Sequence, residues 1–130
     1  MSKYGECAVK SVQFCIKESA SPVDAWEEIT SQVFGKGTSS QKKGCPRTTF
    51  LGLCEEGYIK GITKGKYLLK EMKDGNKKYA IEAVKVLKRN PDLIKRKNDL
   101  WSAMTCGKSI AQNNQIEVIV SLNEKDLINL

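Results

Sequence analysis

The chain carries one pattern of residues twice. A shift of 75 positions sets Lys3-Tyr4 on Lys78-Tyr79, Ala8-Val9-Lys10 on Ala83-Val84-Lys85, Asp24 and Trp26 on Asp99 and Trp101, and Thr30 on Thr105. Dropping three residues from the second copy brings Gly35-Lys36 onto Gly107-Lys108. Dropping three more brings Leu53, Glu55 and Ile59 onto Leu122, Glu124 and Ile128. The matches keep their order, so each copy reads as one supersecondary unit that buries its apolar face against the other. The expected fold is all-α: two tandem three-helix modules, residues 1–59 and 77–130, packed with pseudo-twofold symmetry. A Gly/Lys-rich stretch, 60–76, joins them as a linker or as a short β-ribbon near residues 59–68.

Local signals place the helices. Ala8, Val9, Val12 and Ile16 recur at helical spacing, and Ile81, Val84 and Leu87 do so in the second copy. Ser21-Pro22-Val23-Asp24 is a helix start, with serine at the N-cap and proline at N1, where its missing N–H costs nothing. The helix it opens carries Val23, Trp26, Thr30 and Val33 on one face and should stop at Gly35. Gly44-Cys45-Pro46 announces a third helix with Phe50, Leu53 and Cys54 inward, again with proline at N1, and Gly57 ends it. In the second copy Asn90-Pro91-Asp92 opens a turn, and Asn98-Asp99 restarts the helix before Trp101. Gln115–Glu124 alternates Ile116, Val118, Val120 and Leu122 as a strand would. The repeat sets it on a helix, and helix is the expectation. Both tryptophans are expected to pack the module cores.

A chain of 130 residues holds one compact core and is too short for two independent enzyme domains. It has no apolar run of membrane-spanning length and no signal-peptide pattern at the N-terminus, so it reads as cytosolic with no membrane partner. Five cysteines without a C-x-x-C pair, and without histidine, read as reduced buried thiols, with no metal and no cofactor. Catalysis finds little support for the same reason: there is no imidazole for acid–base work and no carboxylate cluster. The pairs Glu27-Glu28 and Glu55-Glu56 read as solvated faces.

Net charge is +7, and its distribution matters more than its size. Residues 1–59 are neutral, residues 60–97 carry thirteen basic side chains against four acidic ones, and residues 98–130 are net −2. A block of this kind attracts nucleic acid, an anionic ligand or an acidic protein surface. Lysine supplies nineteen of the 22 basic residues, which suits contact with phosphates rather than bidentate reading of bases.

The segment from Gly44 through Arg47-Thr48-Thr49-Phe50 to Gly57-Tyr58-Ile59, with the Lys/Gly run after it, resembles the recognition helix and wing of a winged helix-turn-helix. That resemblance implies nucleic-acid contacts by Lys42, Lys43, Arg47, Thr48 and Thr49 at the helix start and by Lys60, Lys64 and Lys66 on the wing. The turn Gly35-Lys36-Gly37-Thr38-Ser39 lacks the first glycine and the strand of a Walker phosphate loop. It retains the makings of an anion nest, with Lys36, Gly37 and Ser39 matched by Lys108 and Ser109 in the second copy. Residues 37–57 also resemble a family of small uncharacterised bacterial and phage proteins, which implies a helical fold and brings no activity. Three functions follow as expectations. The first is a basic, non-catalytic nucleic-acid-binding protein. The second is an inhibitor or adaptor for a host protein, for example a phage protein directed at a host defence component. The third is a sponge for phosphorylated nucleotides. A homodimer is compatible with each.

Overall fold

The computed structural model describes residues 2–68 and 75–130. Among the described residues there are six α-helices: α1 (Lys3–Glu18), α2 (Pro22–Phe34), α3 (Gly44–Glu55), α4 (Asn76–Arg89), α5 (Lys97–Met104) and α6 (Gln115–Glu124). A 3₁₀ helix, Pro91–Lys95, precedes α5. Among the described residues there is no strand, and the β pairing is a single antiparallel bridge between Ile59 and Ile128. The fold is therefore all-α. Residues 60–68 form turns and irregular backbone rather than a ribbon. Residues 69–74 of the expected linker lie outside the described residues, and its last residue, Asn76, is buried at the start of α4.

The helix ends follow the sequence signals. Ser2 Oγ accepts from the Gly5 N–H (3.1 Å) and Ser21 Oγ from the Asp24 N–H (3.1 Å), each satisfying a donor that the helix leaves open. Pro22 takes N1, as expected. In α3 the helix begins at Gly44, so Pro46 is its third residue rather than its first. The C-termini of α3 and α6 close alike: Tyr58 N–H donates to Leu53 O (3.0 Å) and Leu127 N–H to Leu122 O (2.9 Å). The left-handed residue is Gly57 in one case and Asp126 in the other.

Packing crosses between the two halves. α1 lies on α2 and α6, α4 lies on α5 and α3, and α3 touches α6, so each half's first helix packs on the other half's third. One core results, running from Cys7, Ala8 and Val12 through Trp26, Phe50 and Leu53 to Val84, Leu87, Ile119 and Leu122. α6 is a helix despite its β-branched residues because Ile116, Ile119 and Leu122, spaced three apart, are all buried. Tertiary burial overrides local preference there. Glycine permits the closest crossing: a Cβ on Gly5 would lie 2.7 Å from Ser121 Cβ and 2.9 Å from the Glu117 carbonyl oxygen.

One expectation about the core is corrected, and a second, that both tryptophans pack on it, holds but in unlike settings. Ile16 is 58% exposed, in the last turn of α1, where Lys17 and Glu18 are exposed as well while Cys15 is buried. The tryptophans are not equivalent. Trp26 is buried and stacked on Phe50 (5.2 Å between centroids), whereas Trp101 is half-buried, edge-on to Tyr79 (5.7 Å), with Nε1 donating to Ile110 O (2.7 Å). Both nevertheless accept, through their backbone oxygens, the hydroxyl of the matched threonine: Thr30 to Trp26 (2.6 Å) and Thr105 to Trp101 (3.0 Å).

Candidate functional site

The residues expected to form a recognition helix do not present one. α3 is covered along almost its whole length, with Pro46, Thr48, Thr49, Phe50, Leu51, Gly52, Leu53 and Cys54 buried. Thr48 and Thr49 are 0% exposed, and the Thr49 hydroxyl donates to the Cys45 carbonyl (2.8 Å). A helix held between α2, α4 and α6 cannot enter a groove, so Thr48 and Thr49 are corrected from contact residues to core residues. Arg47 is half-buried. Lys43 Nζ donates to Asn114 Oδ1 and lies 5.5 Å from the centre of the Tyr4 ring, tying the loop before α3 to the start of α6. Lys42 is exposed.

The expected wing is likewise changed. Lys60 pairs with Asp126 (3.0 Å), while Lys64 and Lys66 are exposed on an irregular segment. The backbone beyond them is anchored by Glu55, whose Oε2 accepts from the N–H groups of Tyr67 and Leu68 (2.9 Å each) and whose Oε1 accepts from Lys77 Nζ. Lys77 also pairs with Glu56 (2.9 Å). The solvated pair of the sequence reading is thus a clamp, and the Glu55 side chain is only 16% exposed. Burial is the strongest single influence on Glu55 and pushes its pKa up. The hydrogen bonds from Lys77, Leu68 and Tyr67 together outweigh burial and lower the value to about 2.

The turn read as an anion nest is occupied from within. Lys36, Gly37 and Ser39 are exposed, but the Gly37 N–H donates to Gln41 Oε1 (3.3 Å). Gln41 is itself buried and donates to Glu27 (3.2 Å) and Thr30 (3.1 Å), fastening the loop to α2. Lys108 and Ser109 are exposed after α5, and the Lys108 N–H donates to Thr105 O (3.2 Å).

Basic side chains do converge on one helix face that the motif comparison passed over. α4 buries Ala80, Ala83, Val84 and Leu87. Its opposite side therefore turns outward, with Lys78, Lys85, Lys88 and Arg89 all exposed. A cavity of about 440 Å³ lies along its first turns, lined by Gly75, Lys77, Lys78, Ile81, Glu82 and Lys85. Glu82 pairs with Lys85 (3.5 Å), and Lys88 Nζ stands 5.8 Å from the centre of the Tyr58 ring. Exposed Lys95, Arg96 and Lys97 follow, with Arg96 3.4 Å from Asp99. A second cavity, about 390 Å³, opens between the end of α1, the start of α2 and residues 61–67, lined by Cys15, Ser19, Ser21, Ile62, Thr63 and Tyr67 among others.

Among the described residues no group of three or more Cys, Asp or Glu is placed to hold a metal ion, and no helix is long and apolar enough to cross a membrane. Fold and surface define a small all-α protein with a basic helix face. The chain belongs to DUF6979, a family of unknown function, whose profile matches residues 1–129. No curated protein and no solved structure matches it.

Proposed function

We propose that the protein is a non-catalytic nucleic-acid-binding protein that contacts phosphates through the outer face of α4. The observation that carries this reading is the exposed set Lys78, Lys85, Lys88 and Arg89 on one side of a single rigid helix, followed at once by Lys95, Arg96 and Lys97. Point charges held in register on a folded element neutralise phosphates without needing base contacts. The helix-turn-helix mode gives way to this one because α3 is interior. The setting is a reducing cytosol, in keeping with free thiols throughout.

The inhibitor or adaptor reading gains less from the surface. Large apolar side chains exposed among the described residues are Ile16 and Leu130, short of the apolar centre typical of a tight protein interface. The nucleotide-sponge reading loses a principal donor, since the Gly37 amide is taken by Gln41.

Salt-dependent binding measured by fluorescence anisotropy tests the proposal. Lys78→Glu with Lys85→Glu should weaken binding by about tenfold or more and flatten the dependence on log salt by about 2. The pair Lys64→Glu and Lys66→Glu should cost less. The reverse ranking would move the interface to the irregular segment before α4, and unaltered binding in both would remove nucleic acid from these surfaces.

A further inference from the structure

We infer that the nucleic acid is double-stranded and is bound without regard to sequence, an inference that rests on the reading just given. Proteins that hold unpaired strands offer aromatic faces on which successive bases stack. This chain has nine aromatic residues, and the core uses them all: Trp26 and Phe50 are buried in it, and Tyr4, Phe14, Phe34, Tyr58, Tyr67, Tyr79 and Trp101 pack against it. None is exposed. An unpaired strand laid on α4 would find lysines and, at Tyr58 and Tyr79, only rings partly covered by the core rather than a row of open ones.

Base edges in a duplex are read chiefly by arginine, asparagine and glutamine in bidentate geometry. The α4 face supplies none of the amides. Asn76, the helix's one amide side chain, is buried and accepts from Gln115 Nε2 (2.9 Å). The chain's three arginines are Arg47, half-buried on α3, Arg96, beside Asp99, and Arg89, alone at the end of the stripe. The stripe is therefore a straight row of point charges. From Lys78 to Arg89 it spans about 16 Å at the α-helical rise, which matches about five base pairs of regularly charged duplex backbone. Glu82 sits within the row and offsets one of its four cations at Lys85, leaving a net of about three for phosphates and a salt slope of about −3.

The full chain is titrated at low salt into a labelled 24-base-pair duplex, into each of its strands alone, and into a second duplex of unrelated sequence. The duplexes should bind about tenfold tighter than either strand and within about threefold of one another. A single strand that binds as tightly as the duplex overturns the duplex assignment and leaves the nucleic-acid reading standing. A difference above tenfold between the duplexes overturns sequence indifference. Binding to none of the probes overturns the nucleic-acid reading itself.

Discussion

Ile59 and Ile128, which the internal comparison sets opposite one another, pair with each other across the molecule in an antiparallel bridge. The hydrogen bonds on either side are reciprocal: Lys60 N–H donates to Leu127 O and Asn129 N–H donates to Tyr58 O, each at 2.8 Å. Tyr58 and Leu127 are themselves a matched pair, so exchanging the two copies turns one bond into the other. A twofold axis through the bridge has this consequence, because only positions on such an axis meet their own counterparts. The same exchange turns the α1–α6 packing into the α4–α3 packing.

Both isoleucines are almost wholly buried, at 1% and 3% exposure, so the bridge couples the ends of α3 and α6 to the common core. Ile59→Ala and Ile128→Ala should each destabilise the protein by about 2–4 kcal/mol in denaturant unfolding. Because the two side chains flank one axis, the double variant should depart from additivity by at least about 0.5 kcal/mol. Strict additivity would mean that the bridge transmits nothing between the halves.

The crossing of α1 and α6 depends on the bare backbone of Gly5. In Gly5→Ala the new methyl meets the Glu117 carbonyl as well as the Ser121 side chain, and a carbonyl on a packed helix has no rotamer with which to yield. Unfolding experiments should find a loss of about 1–3 kcal/mol, the range for overpacking a tight site. Adding Ser121→Gly should restore part of that loss. Its failure to restore any would place the strain at Glu117 alone.

How far the sequence reveals such features depends on whether their causes are local. Ser21-Pro22 and Gly57 specify helix ends through their own backbone chemistry and are legible without a fold. The burial of α3 is not legible. Thr48 and Thr49 are polar, and only the placement of α2, α4 and α6 around them shows that they face inward, a position Thr49 tolerates by returning its hydroxyl to Cys45. Glu55 misleads in the same way, since the Tyr67, Leu68 and Lys77 groups that capture it are 12 to 22 residues away in sequence. The basic face of α4 was within reach. Once Ile81, Val84 and Leu87 set the helical register, Lys78, Lys85 and Arg89 fall on the outer side by subtraction.

The Glu55 clamp makes a pH prediction. Its folded pKa, about 2, lies below the ordinary value of 4.5, so the carboxylate stabilises the native state at every pH above about 4.5. That contribution is lost progressively as the pH falls from about 4.5 toward 2. Glu55→Gln should lower the melting temperature at pH 7 and narrow its gap to the parent chain through this acid window. A gap that is constant from pH 7 to pH 2.5 would show that the charge on Glu55 contributes nothing.

The five thiols divide by exposure, and a reagent should separate them. Cys7, Cys15 and Cys54 are buried, Cys45 is half-buried and Cys106 is exposed at the end of α5. Burial also pushes the thiols of the first three up, Cys7 to about 11 with some help from Glu6, which leaves them almost wholly protonated at neutral pH. In the native protein one cysteine, Cys106, should react promptly with a disulfide reagent, as Cys106→Ser would demonstrate by abolishing the fast phase. Cys7, Cys15 and Cys54 should react at the rate at which the core opens, and denaturant should bring all five into a single fast phase. Prompt reaction of Cys7, Cys15 or Cys54 in the native state would contradict the packing of the common core, because those three side chains are among the ones that fill it.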